Sequence, residues 1–293
     1  MQKELQPLIT GGGYEIVSTW YCPDYEPVAT VILAAAMGVE QEFYQPLACW
    51  LSEQGYRVIT FDYYGCGRSW QGPLSRCGVD LMDWARFDCA AVINAAYRHD
   101  STHPLYWIGH SLGGQLLGMI PNARLLSKVI TIACGSGYWL DNAPSLKRRV
   151  WLLWYVLAPL STAVLGYFPG ARLKMVGDLP GAVMRQWRRW CLHPRYAVGV
   201  EGEPIKAGYA ALACPITAIS FEDDELLSRT NIDSLHGFFT GTQVTMYHLS
   251  REDCDGRRVG HLGFFRPRFL SNLWASALLP ELQLNSSSRR LCG

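Results

Sequence analysis

No C-x-x-C pair occurs among the ten cysteines of this 293-residue chain. That spacing is what a zinc ribbon or a dithiol redox centre needs, so neither chemistry is expected. Cys49, Cys89, Cys134 and Cys214 instead sit inside apolar stretches, where a reduced cysteine behaves as a small core residue. An excess of one charge is also missing. The 26 Lys and Arg against 25 Asp and Glu leave a net charge of +1, which gives no electrostatic footprint for nucleic acid. The N-terminal Met1-Gln2-Lys3-Glu4-Leu5 has no apolar signal core, and a reducing cytoplasm is the expected compartment. No internal repeat is visible.

One stretch, from Val150 to Ala171, lacks charge altogether and follows Lys147-Arg148-Arg149. Its length would suffice to cross a bilayer. Pro159, Ser161, Thr162, Gly166 and Pro169 interrupt it, however, and it lies between elements of what reads as a soluble sheet. A hydrophobic lid is the expected form, with contact at a membrane surface as the lesser alternative.

What is present is a large apolar content, 49% of residues, enough for one sizeable α/β domain. Strands are expected at Tyr14–Tyr21, Val28–Ala36, Arg57–Tyr63, Leu105–His110, Val129–Cys134, Pro215–Phe221 and Gln243–Leu249. The inner ones are continuous Val, Ile and Ala runs, the pattern of strands buried on both faces. Helices are expected between them, at Glu42–Gln54, Asp80–Arg98, Ser111–Ile120, Arg229–Phe239 and Arg268–Leu279. Strand–helix alternation of this kind implies a mostly parallel sheet flanked by helices. The alternation breaks in an aromatic, proline-dotted stretch. The expected organisation is therefore a core of residues 1–136 and 209–284, a helical lid insertion of residues 137–208, and a disordered tail of residues 285–293.

Gly109-His110-Ser111-Leu112-Gly113 carries the chemistry. A β-prone Leu105-Tyr106-Trp107-Ile108 precedes it and a helix-like stretch ending at Pro121 follows. Strand, tight turn and helix form the context of a nucleophile elbow. A serine hydroxyl needs a base to take its proton, and the base needs a carboxylate to fix its tautomer. In the elbow arrangement those partners follow in the order acid, then histidine. Strand Pro215–Phe221 ends in Glu222-Asp223-Asp224-Glu225, and the loop after Gln243–Leu249 leads to Gly260-His261-Leu262-Gly263. Ser111, Asp224 and His261 are thus the expected nucleophile, orienting acid and general base. Asp223 is the second choice for the acid, while Glu222 and Glu225 read as solvated. An oxyanion hole needs two backbone donors; Leu112 and Val39, the latter from the loop Met37-Gly38-Val39-Glu40, are expected to supply them. Met37, His110, Tyr138, Trp139, Trp187 and Leu262 are the expected pocket lining. Aromatic residues crowd the insertion as they do hydrophobic pockets.

These residues resemble the α/β-hydrolase superfamily, nearest to its branch of monoglyceride lipases and serine aminopeptidase-like hydrolases. Asp62-Tyr63-Tyr64-Gly65-Cys66-Gly67-Arg68-Ser69 is similar to that branch's D-x-R-G-x-G-x-S loop, and Gly109 to Gly114 to its G-H-S-x-G-G elbow. More narrowly, the chain resembles a bacterial group of hydrolases of undefined substrate. The shared marks are Ala35-Ala36-Met37-Gly38-Val39, Gly135-Ser136-Gly137-Tyr138-Trp139, Gly177-Asp178-Leu179-Pro180, Gln186-Trp187-Arg188-Arg189-Trp190-Cys191 and Gly260-His261-Leu262-Gly263-Phe264-Phe265-Arg266. The resemblance implies the same Ser111, Asp224 and His261 triad, and no particular substrate. Two departures stand out: Tyr64 replaces the loop's usual Arg, and Met37 replaces the His of the commoner oxyanion motif.

The expected activity is serine-dependent cleavage of a carboxylic ester of a hydrophobic acyl or aromatic compound, through an acyl-enzyme, with no metal and no cofactor. The alternatives are an acyltransferase or thioesterase using the same triad, and a non-catalytic small-molecule-binding protein on the same fold.

Overall fold

The computed structural model describes residues 1–283; the tail expected at residues 285–293 lies outside the described residues. Eight strands form one sheet: β1 (Gln2–Ile9), β2 (Glu15–Cys22), β3 (Ala29–Ala34), β4 (Tyr56–Phe61), β5 (Leu105–His110), β6 (Lys128–Ile132), β9 (Ile216–Phe221) and β10 (Val244–Leu249). Their spatial order is β1-β2-β4-β3-β5-β6-β9-β10. From β4 to β10 every neighbouring pair is parallel, while β1 and β2 pair antiparallel with each other and β2 with β4. This is the mostly parallel, helix-flanked sheet expected from the alternation. Strands β3, β5, β6 and β9 are buried along their whole length. Their largely apolar sequences fit strands covered on both faces.

Strand β1 was not expected. It reads Gln-Lys-Glu-Leu-Gln-Pro-Leu-Ile, mostly exposed, and it earns its place through backbone pairing at the sheet edge. Pro7 is tolerated there because an edge strand has one unpaired side.

Helices cover the sheet between strands. Helix α1 is Gln45–Glu53. Helix α2 runs over residues 81–99 and includes one wide turn at Trp84–Cys89. It is started by Asp80, whose carboxylate accepts from the Met82 and Asp83 amides, the N-cap bonds that satisfy otherwise orphaned donors. Helix α3, Leu112–Gln115, is short and gives way to a tighter turn at Leu117–Met119.

Between β6 and β9 the chain leaves the alternation. Helix α4 spans residues 144–164 with a wide turn at Leu153–Leu157. The two-residue strands β7 (Tyr167–Phe168) and β8 (Leu179–Pro180) pair next, followed by helices α5 (Gly181–Leu192), α6 (Tyr196–Glu201) and α7 (Glu203–Ala211). Among the described residues no helix is long and apolar enough to cross a membrane. The charge-free stretch is instead the greater part of α4 and strand β7, with Leu160 and Val164 left exposed.

The insertion is tied to the core at two of the motifs singled out above. Gln186 accepts from the Leu81 amide at 2.7 Å and donates to Glu201, which also accepts from Trp190 at 2.7 Å. Gly177 lies so close to Gly38 that a Cβ on Gly38 would meet its amide nitrogen at 2.7 Å.

Candidate active site

Ser111 sits between β5 and α3 with φ 48° and ψ −109°. A non-glycine residue in that conformation is strained, and the surrounding structure must hold it there. The Ser111 amide donates to the Ile132 carbonyl at 3.0 Å, and the Trp107 indole donates to the Gly113 carbonyl at 2.9 Å. A Cβ on Gly109 would come 2.6 Å from the Gly113 carbonyl carbon, and one on Gly113 would collide with the Ala34 carbonyl. The two motif glycines are therefore required by close backbone approach. All hydrogen bonds of Ser111 are made by its backbone; among the described residues its hydroxyl has no partner.

His261 is buried on the loop after β10, and its Nδ1 lies 2.8 Å from Asp224 Oδ2. The other Asp224 oxygen accepts from the Leu226 and Leu227 amides at 2.8 and 3.0 Å. With Nδ1 engaged by a carboxylate, Nε2 is the nitrogen left free to accept a proton. Asp223 does a different job: its two oxygens accept from the Gly260 and Val259 amides at 2.7 and 3.0 Å. Glu225 accepts from the His261 amide at 3.2 Å, so the expectation that it is merely solvated is corrected. The acidic run after β9 thus divides its labour, with Asp224 on the imidazole and its neighbours on the loop backbone that carries it.

His110, expected in the pocket, is fully buried and faces away from it. Tyr44 Oη lies 2.8 Å from His110 Nδ1 and accepts from the Ala36 amide at 2.8 Å. His110 Nε2 lies 3.0 Å from the His261 carbonyl. The only consistent proton arrangement has Tyr44 donating to Nδ1 and Nε2–H donating to the carbonyl. Burial first, and the nearby His261 second, hold His110 well below the usual histidine range, which keeps it neutral as that arrangement demands.

The loop after β3 makes a turn in which the Val39 amide donates to the Ala36 carbonyl at 3.1 Å, with Gly38 at φ +66°. This corrects the expectation of a free donor at Val39: the turn that Gly38 permits has already engaged that amide. Leu112, the first residue of α3, keeps the open amide of a helix N-terminus. The Asp62–Ser69 loop is structural. Asp62 accepts from the Gln41 amide and side chain at 2.8 Å and from the Arg68 amide at 3.0 Å. Tyr64 packs its ring 4.0 Å from that of Tyr14, and its amide donates to buried Asp88 at 2.8 Å.

A cavity of about 350 Å³ opens between the sheet edge and the insertion, with both Ser111 and His261 in its wall. Leu146, Val150, Leu153, Leu226 and Leu227 make it largely apolar, and Trp154 and Trp187 close one side. Of the six expected lining residues, Trp187 is in this wall and five are not. Met37 and His110 are buried beneath it. Tyr138 and Trp139 precede it, Trp139 packing edge-on against Tyr155 at 6.1 Å. Leu262 faces an outer cleft beside Arg258 and Arg266. His110 and Leu262 lie outside the wall because residues next to a catalytic position in sequence alternate between faces of the backbone. The lining comes from α4 and α5, from residues 174–176 between β7 and β8, and from Leu226 and Leu227 after β9.

Residues 25–161 match the family model described as serine aminopeptidase, S33. A protein of Yersinia enterocolitica named "Putative carbamate hydrolase RutD" is 38% identical over 87 residues, 30% of this chain and 28% of its own length. The YfhR protein of Escherichia coli K12 is 30% identical over 149 residues, 43% of this chain and 50% of its own length. The chain thus spans at most half the length of these relatives. Among solved structures, a soluble variant of monoglyceride lipase from Saccharomyces cerevisiae is similar with TM-score 0.62 at 18% identity, covering 85% of this chain and 86% of that one. A carboxyl esterase from Bacillus coagulans is similar with TM-score 0.59 at 14% identity, covering 85% and 90%. At such identities the likeness is one of fold.

Proposed function

We propose that this α/β hydrolase is a serine hydrolase that cleaves carboxylic esters of hydrophobic acyl or aromatic compounds through an acyl-enzyme. One observation carries the reading: a strained Ser111 and an Asp224-bound His261 stand in the wall of one apolar cavity. Ser111 Oγ attacks the ester carbonyl while its proton passes to His261 Nε2. The Leu112 amide donates to the developing oxyanion. The carbonyl–alkoxy bond then breaks and His261 returns the proton to the leaving alcohol. Water, deprotonated in turn by His261, attacks the acyl-serine and releases the acid and the free hydroxyl. Asp224 holds the imidazole in the tautomer that accepts at Nε2 and stabilises its charged form. Residues 137–208 serve as the lid over the acyl group.

Steady-state hydrolysis of nitrophenyl esters of increasing chain length tests this reading. Ser111→Ala and His261→Ala are expected to lower kcat by about 10⁴-fold or more, with Asp224→Asn close behind. Undiminished turnover in Ser111→Ala would reject it.

A further inference from the structure

The outer surface of the insertion is apolar and basic at once. Along α4, Trp151, Tyr155, Leu160 and Val164 are each at least half exposed, from 50% to 79%. Their spacing is four, five and four residues. A step of four returns to the same side of an α-helix. The step of five crosses the wide turn at Leu153–Leu157, where each turn takes up one more residue. The four side chains therefore form one stripe along the helix, and exposed Lys147, four residues before Trp151, extends it. Single exposed apolar side chains are ordinary, but a contiguous row marks a docking face.

Charge gathers at the same place. Residues 142–200 hold nine Lys and Arg and one acid, Asp178, in a chain whose net charge is only +1. Three of these cations meet beside the stripe. Arg185, Arg188 and Arg189 are three and four residues apart, so they share one face of α5. They line a cleft of about 340 Å³ whose other wall includes Pro159 and Ala163, the residues immediately before Leu160 and Val164. Among the described residues these arginines make a single ion pair, Arg189 with Glu201 at 3.9 Å.

We propose that the stripe on α4 and the basic residues around it dock the protein on an anionic lipid bilayer. A helix with Trp, Tyr and Leu on its outer side and Lys and Arg at its borders lies in the interface, apolar side chains among the acyl chains and cations at the headgroups. Each cation held near an anionic surface strengthens binding by about fivefold. A second copy of the chain is the poorer occupant, because the same excess of positive charge would face itself across the contact. Docking requires nothing of the reaction at Ser111. The inner side of the same helix, with Val150, Leu153 and Trp154, is a wall of the catalytic cavity, so docking sets that cavity next to the lipid.

The test is flotation of the full chain with large vesicles of phosphatidylcholine, alone or in an equimolar mixture with phosphatidylglycerol. The wild type should bind the mixed vesicles about tenfold or more tightly than the neutral ones, and added salt should shrink that advantage. Leu160→Glu with Val164→Glu removes the apolar half of the surface. Lys147→Gln with Arg148→Gln and Arg149→Gln removes part of the basic half. Each set should weaken binding to the mixed vesicles by about tenfold or more. All five positions are exposed and outside the cavity wall, so thermal melts should match the wild type. Absence of wild-type binding to the mixed vesicles overturns the proposal, as does equal binding by the Leu160→Glu, Val164→Glu variant. A wild-type dimer in light scattering that this variant dissolves would assign the stripe to a second copy and overturn it too. Binding is read without catalysis, so a wild type that docks on the mixed vesicles but cleaves no ester sustains the inference while defeating the ester-hydrolase reading.

Discussion

His110 Nε2 lies 3.0 Å from the backbone carbonyl of His261, so the residue before the nucleophile holds the loop of the base. The same imidazole is bound by Tyr44, whose oxygen takes the Ala36 amide. Three sheet-edge loops, after β3, β5 and β10, are thereby joined through two side chains.

Tyr44→Phe cuts that chain at its middle. It leaves the Ala36 amide and His110 Nδ1 buried and unpaired, which costs about 1–3 kcal/mol each where no water enters. Urea unfolding should show a loss of about 2–6 kcal/mol for the two groups together. Steady-state kinetics should show kcat lowered several-fold with little change in KM, because what moves is the base and not the acyl cavity.

Gly260 has φ +62°, and a Cβ there would meet Glu225 Oε2 at 2.6 Å. Gly260→Ala is therefore expected to strain the backbone by about 1–3 kcal/mol and to displace His261, whose amide Glu225 receives. Esterase activity should fall by about tenfold or more even where thermal melts show the protein still folded, as a displacement of about 1 Å can cost more than that. Unchanged activity would mean that the loop position is not set by this contact.

Asp88 is buried with Tyr14 Oη and the Tyr64 amide on its carboxylate, and burial pushes its pKa up to about 7. In the unfolded chain it would ionise near the ordinary value of about 4. Between those limits the unfolded state releases a proton that the folded state keeps. This group's contribution therefore favours folding less as pH rises from about 4 to about 7, and is level above that. Urea midpoints at pH 5 and pH 8 should show the stability of Asp88→Asn relative to the wild type increasing with pH. Equal slopes in the two proteins would contradict the assignment.

Lys128 Nζ lies 2.8 Å from Glu281 Oε2 in a buried pair, where Thr217 also donates to that oxygen at 2.7 Å. Burial alone would raise Glu281, but Lys128 and Thr217 outweigh it and hold the carboxyl below its usual range. Lys128→Met leaves a buried charge unpaired and should cost about 3–5 kcal/mol. The double variant Lys128→Met, Glu281→Leu should recover most of that loss in urea unfolding.

The central strands and the elbow were legible in the sequence because both are written locally. Runs such as Val31-Ile32-Leu33 signal burial on both faces, and the glycines around Ser111 signal a turn without room for side chains. Strand β1 was not legible, since Gln2–Ile9 is stabilised by backbone pairing at an edge and its side chains stay mostly in water. The cavity wall was misread because sequence adjacency to Ser111 and His261 does not report which face a side chain takes. The supporting roles of Asp223 and Glu225 were hidden for a related reason, since they act on a loop 36 or 37 positions further along the chain.

The most direct test of the account is the intact mass of the protein after incubation with a fluorophosphonate, for wild type, Ser111→Ala and His261→Ala. The account predicts a single adduct on the wild type that is absent from both variants. An unlabelled, well-folded wild type, or an adduct that persists in Ser111→Ala, would contradict it.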